Sequence, residues 1–325
     1  MKPRLTLVAG LLALAAASTA QAQSSVNLYG LLDLSVGQTK TPGTSGSVSS
    51  VDSGNMTTSF FGLKGSEDLG GGLTASFVIE SFLRPDAGAA GRFATDNFWA
   101  RSANVSLSSK SAGTLRLGRI TTPFFIATLV HNALGDSFGF SPSIRQVFTS
   151  GTVTGDTGWS DAVSYSTPAM GGFSAVAMVA AGEGGGGRNT ALSGSYASGA
   201  FSGALSYQQV KKGATVDDTT TSSVHASYDF GAVKLFGQYF KVDNDTKNVD
   251  YKISAVGASV PAGPGKVLLQ YTQTKASAGA GRKGFAFGYD YFISKRTDLY
   301  AVYLDDKVDN LSSGYSYGVG VRHSF

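Results

Sequence analysis

The last residues of the chain, YSYGVGVRHSF (Tyr315–Phe325), alternate strictly between two kinds of side chain. One set of alternate positions is large and mostly apolar, and it comprises Tyr315, Tyr317, Val319, Val321, His323 and Phe325. The other set is small or polar, and it comprises Ser316, Gly318, Gly320, Arg322 and Ser324. A two-residue repeat is that of a β-strand, whose successive side chains point to opposite faces of a sheet. The sequence therefore predicts that the chain ends in a strand with one apolar face.

The same alternation recurs at the start of the chain in Val26–Val36, and later in Val233–Tyr239 and Phe285–Tyr291. In a soluble sandwich the apolar face packs on a second sheet, whereas in a membrane barrel it meets lipid and the polar face meets water. A secreted soluble sandwich is therefore the alternative to a barrel. A barrel has no free edge only when its last strand pairs with its first. We expect the terminal strand to pair with Val26–Val36.

Turn signals divide the chain into strands of similar length. Short turns such as Asp68–Gly72 and Pro261–Gly265 alternate with longer polar connections such as Lys40–Met56 and Arg84–Asp96. Short turns at one end and long loops at the other are typical of outer-membrane barrels. We predict an all-β, transmembrane antiparallel barrel of about 16 strands, an even number as in bacterial outer-membrane barrels.

The N-terminus has the features of a secretory signal peptide. Two basic residues precede the apolar run Leu5–Ala17, which is too short to cross a bilayer as a helix, and Ala20-Gln21-Ala22 follows as a cleavage site. We expect residues 1–22 to be removed and residues 23–325 to form a single barrel domain. A buried N-terminal helix is the alternative interpretation.

Composition favours a barrel in an outer membrane. Charged residues make up only 15% of the chain, there are no cysteines, and glycine is abundant at 43 residues. No stretch after the signal segment approaches the length of a membrane helix, so a closed barrel remains as the structure that pairs every backbone group in lipid. Basic and acidic residues nearly balance once the signal segment is removed, which gives no indication of a nucleic-acid partner.

One connection, Thr121–Thr157, is much longer than the others and shows no convincing alternation. We call it the long loop. A segment of this length without strands is normally functional or disordered, and its many aromatic residues argue against disorder. It follows the fifth predicted strand. We predict that it folds into the lumen and narrows it.

Catalytic and metal-binding signals are weak. The three histidines, His131, His225 and His323, are far apart in the sequence and have no nearby nucleophile and acid. Acids near a predicted loop, Asp243 and Asp250 among them, indicate a solvated loop rather than a metal site. We therefore expect no enzyme activity, cofactor or metal, although an outer-membrane hydrolase barrel is a further alternative.

Several motifs resemble the general porins of Gram-negative betaproteobacteria. They are FFGLKGSEDLGGGLTASF (Phe60–Phe77), RSANVSL (Arg101–Leu107), GTLRLGRITTP (Gly113–Pro123), VSYSTPAMGGF (Val163–Phe173) and VGVRHSF (Val319–Phe325). The resemblance implies a 16-stranded homotrimer in the outer membrane, among lipid and lipopolysaccharide, that passes small hydrophilic solutes by diffusion. It also implies that the barrel-assembly machinery reads the terminal Phe325.

In porins of this type, basic residues of the barrel wall face acids of the inward loop, an arrangement that filters solutes by charge in a narrow opening. Here the wall candidates are Lys64, Arg101 and Arg116. Alternation places Lys64 and Arg116 inward, whereas Arg101 is carried over by its motif and its face is ambiguous. Arg119 shares the outward face with Leu117, so we expect it at a subunit interface.

The predicted constriction departs from the family pattern. Phe60 stands where these porins usually carry an arginine, and the long loop contains only two acids, Asp136 and Asp156, beside the basic Arg145. We predict a constriction made by Phe60, Lys64, Arg101, Arg116, Asp136 and Arg145 that is more aromatic and less charged than usual. Weak anion preference and tolerance of less polar solutes are expected. The alternative is a substrate-selective channel with an aromatic-lined binding track.

Overall fold

The computed structural model describes residues 25–183, 187–211 and 216–325, so the predicted signal peptide lies outside the described residues. The strands are β1 (Ser25–Lys40), β2 (Val48–Ser53), β3 (Phe60–Gly70), β4 (Leu73–Arg84), β5 (Ala89–Ala90), β6 (Ser102–Ser109), β7 (Gly113–Thr121), β8 (Gly158–Ser166), β9 (Phe173–Ala180), β10 (Asn189–Ser198), β11 (Phe201–Val210), β12 (Thr219–Asp229), β13 (Lys234–Asn244), β14 (Val249–Ala262), β15 (Gly265–Ala276), β16 (Arg282–Phe292), β17 (Thr297–Val308) and β18 (Gly314–Ser324). No described helix has the length and hydrophobicity needed to span a membrane.

The strands form one closed antiparallel barrel. The short strands β2 and β5 pair only with β1 and β4 as hairpins in the first two loops, and each remaining strand pairs with its neighbours along the chain. The predicted number of 16 barrel strands is confirmed, because the 18-stranded sheet includes these two loop strands.

The barrel closes between its two terminal strands. β18 pairs with β1 from Leu31 opposite Ser324 to Lys40 opposite Tyr315. Beyond this ladder, the Phe325 amide donates to the Gly30 carbonyl at 3.1 Å. The predicted pairing of the last strand with the first is therefore confirmed, and the complete terminal strand is explained by the need to leave no edge unpaired.

The apolar face of each strand points out of the barrel. Val36 and Val319, on the paired terminal strands, are each 58% exposed, and Val256 on β14 is 60% exposed. Within the described residues no second layer of protein covers these side chains. The soluble sandwich is therefore excluded, since it would bury this face against another sheet.

The long loop contains three short helices that the strand-based interpretation did not predict. They are α1 (Pro123–Val130), α2 (Pro142–Ile144) and a π-helix (Arg145–Thr149). Each of the first two begins with a side-chain cap, because Thr122 Oγ1 accepts from the Phe125 amide and Ser141 Oγ accepts from the Ile144 amide. A hydroxyl residue followed by proline is a recognisable helix start, so this signal was present in the sequence.

The buried core lies between the long loop and the inner faces of the later strands. Phe140 packs with Tyr300 and Leu268 in one apolar cluster, and Phe124 packs with Phe240 in another. These wall residues alternate with the exposed outward ones, so they lie on the inner side of the barrel. The long loop thus packs against the inner wall formed by β13–β18 and fills that part of the lumen.

Glycines on the inner wall make room for the long loop. A Cβ atom at Gly318 would lie 2.9 Å from the Phe140 ring, and one at Gly284 would lie 2.6 Å from the Pro142 Cβ. Contacts below 3.0 Å force a neighbour to move. This packing explains the glycine at position 318 on the inner face of the terminal strand, and Gly320 faces the Tyr300 ring of β17 in the same way.

Replacing Gly318 by leucine should lower the free energy of unfolding by about 1–3 kcal/mol, the usual cost of overpacking a filled interior. Gly237→Leu is the matched control, because a Cβ at Gly237 meets nothing within 4 Å. Urea unfolding of both variants in lipid vesicles measures the difference. Equal stability of the two variants would show that the loop does not press on Gly318.

Candidate functional site

Hydrogen bonds attach the long loop to the polar faces of β13 and β15. Ser143 Oγ donates to Gln238 Oε1 at 2.6 Å, and Ser141 Oγ donates to Gln270 Oε1 at 3.1 Å. The Gln238 amide nitrogen in turn donates to the Thr128 carbonyl at 2.7 Å. These groups are buried and paired, so the loop is fixed to this wall rather than free to move across the lumen.

The opposite side of the lumen contains two open cavities that share Thr121. The upper cavity, about 530 Å³, lies at the loop end and is lined by Arg101, Asp136, Phe125 and Phe138 among others. The lower cavity, about 740 Å³, lies on the other side of α1 towards the short turns and is lined by Arg116 and by small residues of β8–β11. The barrel is therefore not filled solid, and open space lies on both sides of α1.

Arg101 lies on the wall of the upper cavity. Its guanidinium carbon is 4.0 Å from the centre of the Phe60 ring, and its Nε is 3.5 Å from Glu80 Oε2. Glu80 also accepts a hydrogen bond from the Tyr29 hydroxyl at 2.6 Å. The Phe60 ring thus holds the Arg101 guanidinium by a cation–π contact.

Lys64 continues this arrangement along the inner wall. Its Nζ lies 4.4 Å from the centre of the Tyr29 ring. A continuous series of contacts connects Lys64 to the upper cavity. Tyr29 donates a hydrogen bond to Glu80, Glu80 pairs with Arg101, and Arg101 lies over the Phe60 ring. The inward orientation that alternation predicts for Lys64 agrees with this position.

Asp136 lies at the tip of the long loop, across the upper cavity from Arg101. Its Oδ1 accepts from the Thr57 hydroxyl at 3.1 Å, and that hydroxyl accepts from Arg322 Nη1 at 3.2 Å. Burial raises the pKa of the Asp136 carboxyl, although the Thr57 hydrogen bond and the positive charges of Arg101 and Arg322 act against this rise. The loop tip therefore carries a carboxylate that gains a proton more readily than an exposed aspartate.

The end of the first loop holds the tip of the long loop in place. The Asn55 carbonyl accepts from the Gly139 amide at 3.0 Å and from Ser137 Oγ at 2.7 Å. Residues 55–58, which we call the first-loop tail, thus lie between the wall of β1 and the tip of the long loop.

Asp33 on β1 binds the first-loop tail through its carboxylate. Its carboxylate is fully buried and accepts from the Tyr300 hydroxyl at 2.6 Å and from the amides of Met56 and Thr57 at 2.7 Å. Three donors compensate its charge. The sequence placed Asp33 on the polar face of the first strand but contained no sign of partners so distant along the chain.

The other predicted constriction residues do not meet at the upper cavity. Arg116 lines the lower cavity, where its Nη1 lies 3.4 Å from Ser166 Oγ. Arg145 faces the far wall, with its Nη2 3.6 Å from Asp306, which also pairs with Arg282. The structure therefore brings together Phe60, Arg101 and Asp136, and separates them from these two arginines.

Arg322 was not among the predicted constriction residues, although it belongs to the terminal stretch that decided the fold. Its Nε lies 2.8 Å from Asp298 and its Nη2 lies 2.9 Å from Asp290. The alternation of the terminal stretch contained the signal for this position. Arg322 lies among the small residues of the inner face, so its side chain must point into the lumen.

Arg119 keeps the outward face that alternation predicts, because Arg116 and Ile120 on the other face of β7 line the lower cavity. The bulge between Gly118 and Ile120 adds its extra residue to β8, so the alternation of β7 is intact. Arg119 donates to the Ala100 carbonyl and pairs with Asp156, which also pairs with Arg92. Its place at a subunit interface stays a prediction.

His131 has a structural position at the end of α1. Its Nδ1 lies 2.9 Å from the Ala127 carbonyl, and its Nε2 lies 3.1 Å from Ser202 Oγ. Burial lowers the pKa of His131, so the ring is neutral at neutral pH. In the described residues, no cluster of acids and histidines suited to a metal ion is found.

A closed barrel with a loop packed on part of its inner wall and open cavities beside that loop is the architecture of a diffusion pore. A sequence model of Gram-negative porins matches residues 8–311. The chain belongs to the Gram-negative porin family. This porin is 35% identical to outer membrane porin protein 32 of Delftia acidovorans, over 96% of this chain and 97% of that protein. It is 27% identical to an outer membrane porin protein of Bordetella pertussis, over 98% and 99% of the two chains.

Solved structures give the same result. The porin matches the anion-selective porin of Comamonas acidovorans with a TM-score of 0.82 and 29% identity, over 93% of this chain and all of that one. The barrel of a Salmonella typhi porin solved with daunomycin matches with a TM-score of 0.72 at 16% identity, over 92% of this chain and 97% of that one, which shows the common fold. The predicted family and barrel are confirmed. The protein is a porin of the Gram-negative outer membrane.

Proposed function

We propose that this porin is a general diffusion channel whose constriction lies between the Phe60–Arg101 wall and the long-loop tip at Asp136 and Phe138. The observation that carries the proposal is the upper cavity, whose lining brings arginines, Arg101 among them, together with aspartates, Asp136 among them. Opposed charges orient water in a narrow opening, so hydrated solutes pass while charge and size are filtered. Lys64 and Arg116 extend the cationic path along the wall, and Arg145 supports the loop from the far side.

The proposed ion preference is weakly for anions. Asp136 is an acid of the upper cavity at the long-loop tip, and its raised pKa favours the uncharged form, whereas Arg101 contributes a positive charge. The related Comamonas acidovorans protein is named as anion-selective. Aromatic side chains of the upper cavity, Phe125 and Phe138 among them, would also admit solutes that are less polar than sugars.

Anion preference should increase as the pH falls towards the raised pKa of Asp136, because protonation removes the Asp136 charge while the arginines stay positive. The Asp136→Asn variant should show the higher preference already at neutral pH and depend less on pH. Reversal potentials under a salt gradient, measured at several pH values, provide the comparison. The same pH dependence in the variant and the parent protein would contradict the role of Asp136.

Swelling of proteoliposomes in sugars of increasing size tests the proposed function. The rate should fall smoothly with sugar size and rise linearly with concentration, as expected for diffusion through a water-filled opening. Saturation by one class of solute would favour a substrate-selective channel with an aromatic binding track instead.

We further propose that the porin acts as a homotrimer surrounded by outer-membrane lipid and lipopolysaccharide, and that the barrel-assembly machinery recognises Phe325. Support comes from family membership and from the terminal aromatic side chain, which lies on the outer face and is 41% exposed. A heat-sensitive oligomer band on a gel tests the trimer. Loss of membrane insertion on deletion of Phe325 tests the assembly signal.

A further inference from the structure

The helix α1 is apolar on all of its faces, although only part of it packs against the barrel wall. Its sequence, PFFIATLV, contains Thr128 as its one polar residue. Phe124 and Thr128 are fully buried on the wall side, where Phe124 packs with Phe240 of β13. By contrast, Ile126 is 47% exposed and Val130 is 50% exposed. A helix that is apolar all round is normally buried on every side, so α1 leaves an unusual apolar face open to the lumen.

This open face belongs to the lower cavity. Four residues at the i, i+3, i+4 and i+7 spacing of a single helix face line the cavity, namely Pro123, Ile126, Ala127 and Val130. The cavity volume of about 740 Å³ lies in the usual range of small-molecule sites. Exposed apolar surface in a concave site of this size indicates a ligand with an apolar part.

The lower cavity also contains positive charge without a counter-charge. Arg116 of β7 lines the cavity, and it forms no ion pair with any residue that the structure describes. No aspartate or glutamate is found among the described residues that line this cavity, whereas Asp136 and Asp156 line the upper cavity. The lower cavity therefore combines apolar surface with a cation that the chain does not balance.

The wall around Arg116 holds a hydrogen-bond donor as well. Ser164 lies opposite Arg116 on β8 and lines the same cavity. Its hydroxyl is buried and has no hydrogen-bond partner within the described parts of the chain. Buried hydroxyls are normally paired, and a free donor near a guanidinium suits the oxygens of an anion.

We propose that the lower cavity is a binding site for organic monocarboxylates with a compact apolar body, such as a benzene ring. Arg116 attracts the carboxylate, and Ile126 and Val130 contact the apolar body. A single arginine suits a single negative charge, and the acid-free lining spares the ligand the repulsion that it meets near Asp136. This inference rests on the proposed function, because the ligand reaches the cavity through the diffusion route. The site delays these anions, while sugars and small ions pass as in a general channel.

Titration of benzoate against the purified porin in neutral detergent at neutral pH tests this site, with NMR saturation transfer as the readout of binding. Benzoate should bind saturably. Gluconate has the same charge on a hydroxylated body, and benzyl alcohol has the ring without the charge. Each of these two solutes lacks one half of the recognition, so each should bind about fivefold more weakly or less.

Two variants separate the two halves of the site. Ile126→Thr/Val130→Thr keeps β-branched side chains of similar helix propensity but adds polar groups to the open face of α1, so it should weaken benzoate binding about fivefold. Arg116→Gln removes the charge and should weaken benzoate binding by a similar factor, roughly fivefold.

The matched controls make the same changes at exposed positions that line neither cavity. They are Val48→Thr/Ile293→Thr and Arg296→Gln, and both should bind benzoate as the parent does. Equal benzoate binding by the parent and the Ile126→Thr/Val130→Thr variant, or gluconate bound as tightly as benzoate, would overturn the proposal.

Ion current in potassium chloride without benzoate is a separate readout on the same preparations. A porin that binds benzoate as expected but conducts no ions would contradict the proposed function and leave the binding site standing. A conducting porin without saturable benzoate binding would contradict the binding site alone.

Discussion

Replacing Arg101 by glutamate should convert the weak anion preference of the channel into a cation preference. The guanidinium lies over Phe60 and faces the loop tip, so the substitution changes the charge at the constriction by two units beside Asp136 and Glu80. Charges within about 5 Å of a passing ion in water act with about 1 kcal/mol each. The permeability ratio should therefore shift by roughly tenfold or more. Reversal potentials in planar bilayers under a salt gradient measure it.

The control for this prediction is Lys110→Glu, which makes the same change of charge at an exposed turn between β6 and β7. It should leave the reversal potential close to that of the parent channel. If Arg101→Glu behaved like this control, Arg101 would not lie at the narrowest part of the route.

Replacing Asp33 by alanine should lower the free energy of unfolding by about 3 kcal/mol. The change leaves the Tyr300 hydroxyl and the amides of Met56 and Thr57 without their buried acceptor, and each unsatisfied donor costs about 1–3 kcal/mol. The first-loop tail would then detach from β1, and the long-loop tip that it holds would move. We expect excess current noise in single channels together with the lower stability in urea.

Tyr300→Phe provides a graded comparison, because it removes one of the three donors to Asp33 and leaves the hydrogen bonds from the two backbone amides intact. Its cost should be about 1 kcal/mol, with a smaller increase in noise. If the Asp33→Ala channel had the same current noise and the same stability as the parent, the first-loop tail would hold the long loop without Asp33.

The barrel was predictable from sequence because lipid and water impose a different requirement on each face. Every second residue of Tyr315–Phe325 had to be apolar, and the end of the chain had to pair with its beginning to leave no edge. The strand alternation gave no signal for α1, whose start at Thr122-Pro123 was recognisable only as a helix cap.

The candidate site was only partly predictable. The motif containing Arg101 predicted a pore residue but left the direction of its side chain ambiguous. The direction depends on contacts with the Phe60 ring and with Glu80, a single carboxylate within the apolar strand β4. Asp33 and Tyr300 are 267 positions apart, and no local pattern joins them. The contact between the first-loop tail and the long loop depends on how the barrel closes, so it becomes visible only in three dimensions.

The most direct test of the central claim is the reversal potential of the unmodified porin in a planar bilayer under a salt gradient. The claim is that ions cross an aqueous route filtered between Arg101 and the tip of the long loop. We predict stepwise, ohmic conductance with a modest preference for anions that increases at acidic pH. Clear cation selectivity, or membranes that contain the folded porin without conductance steps, would contradict it.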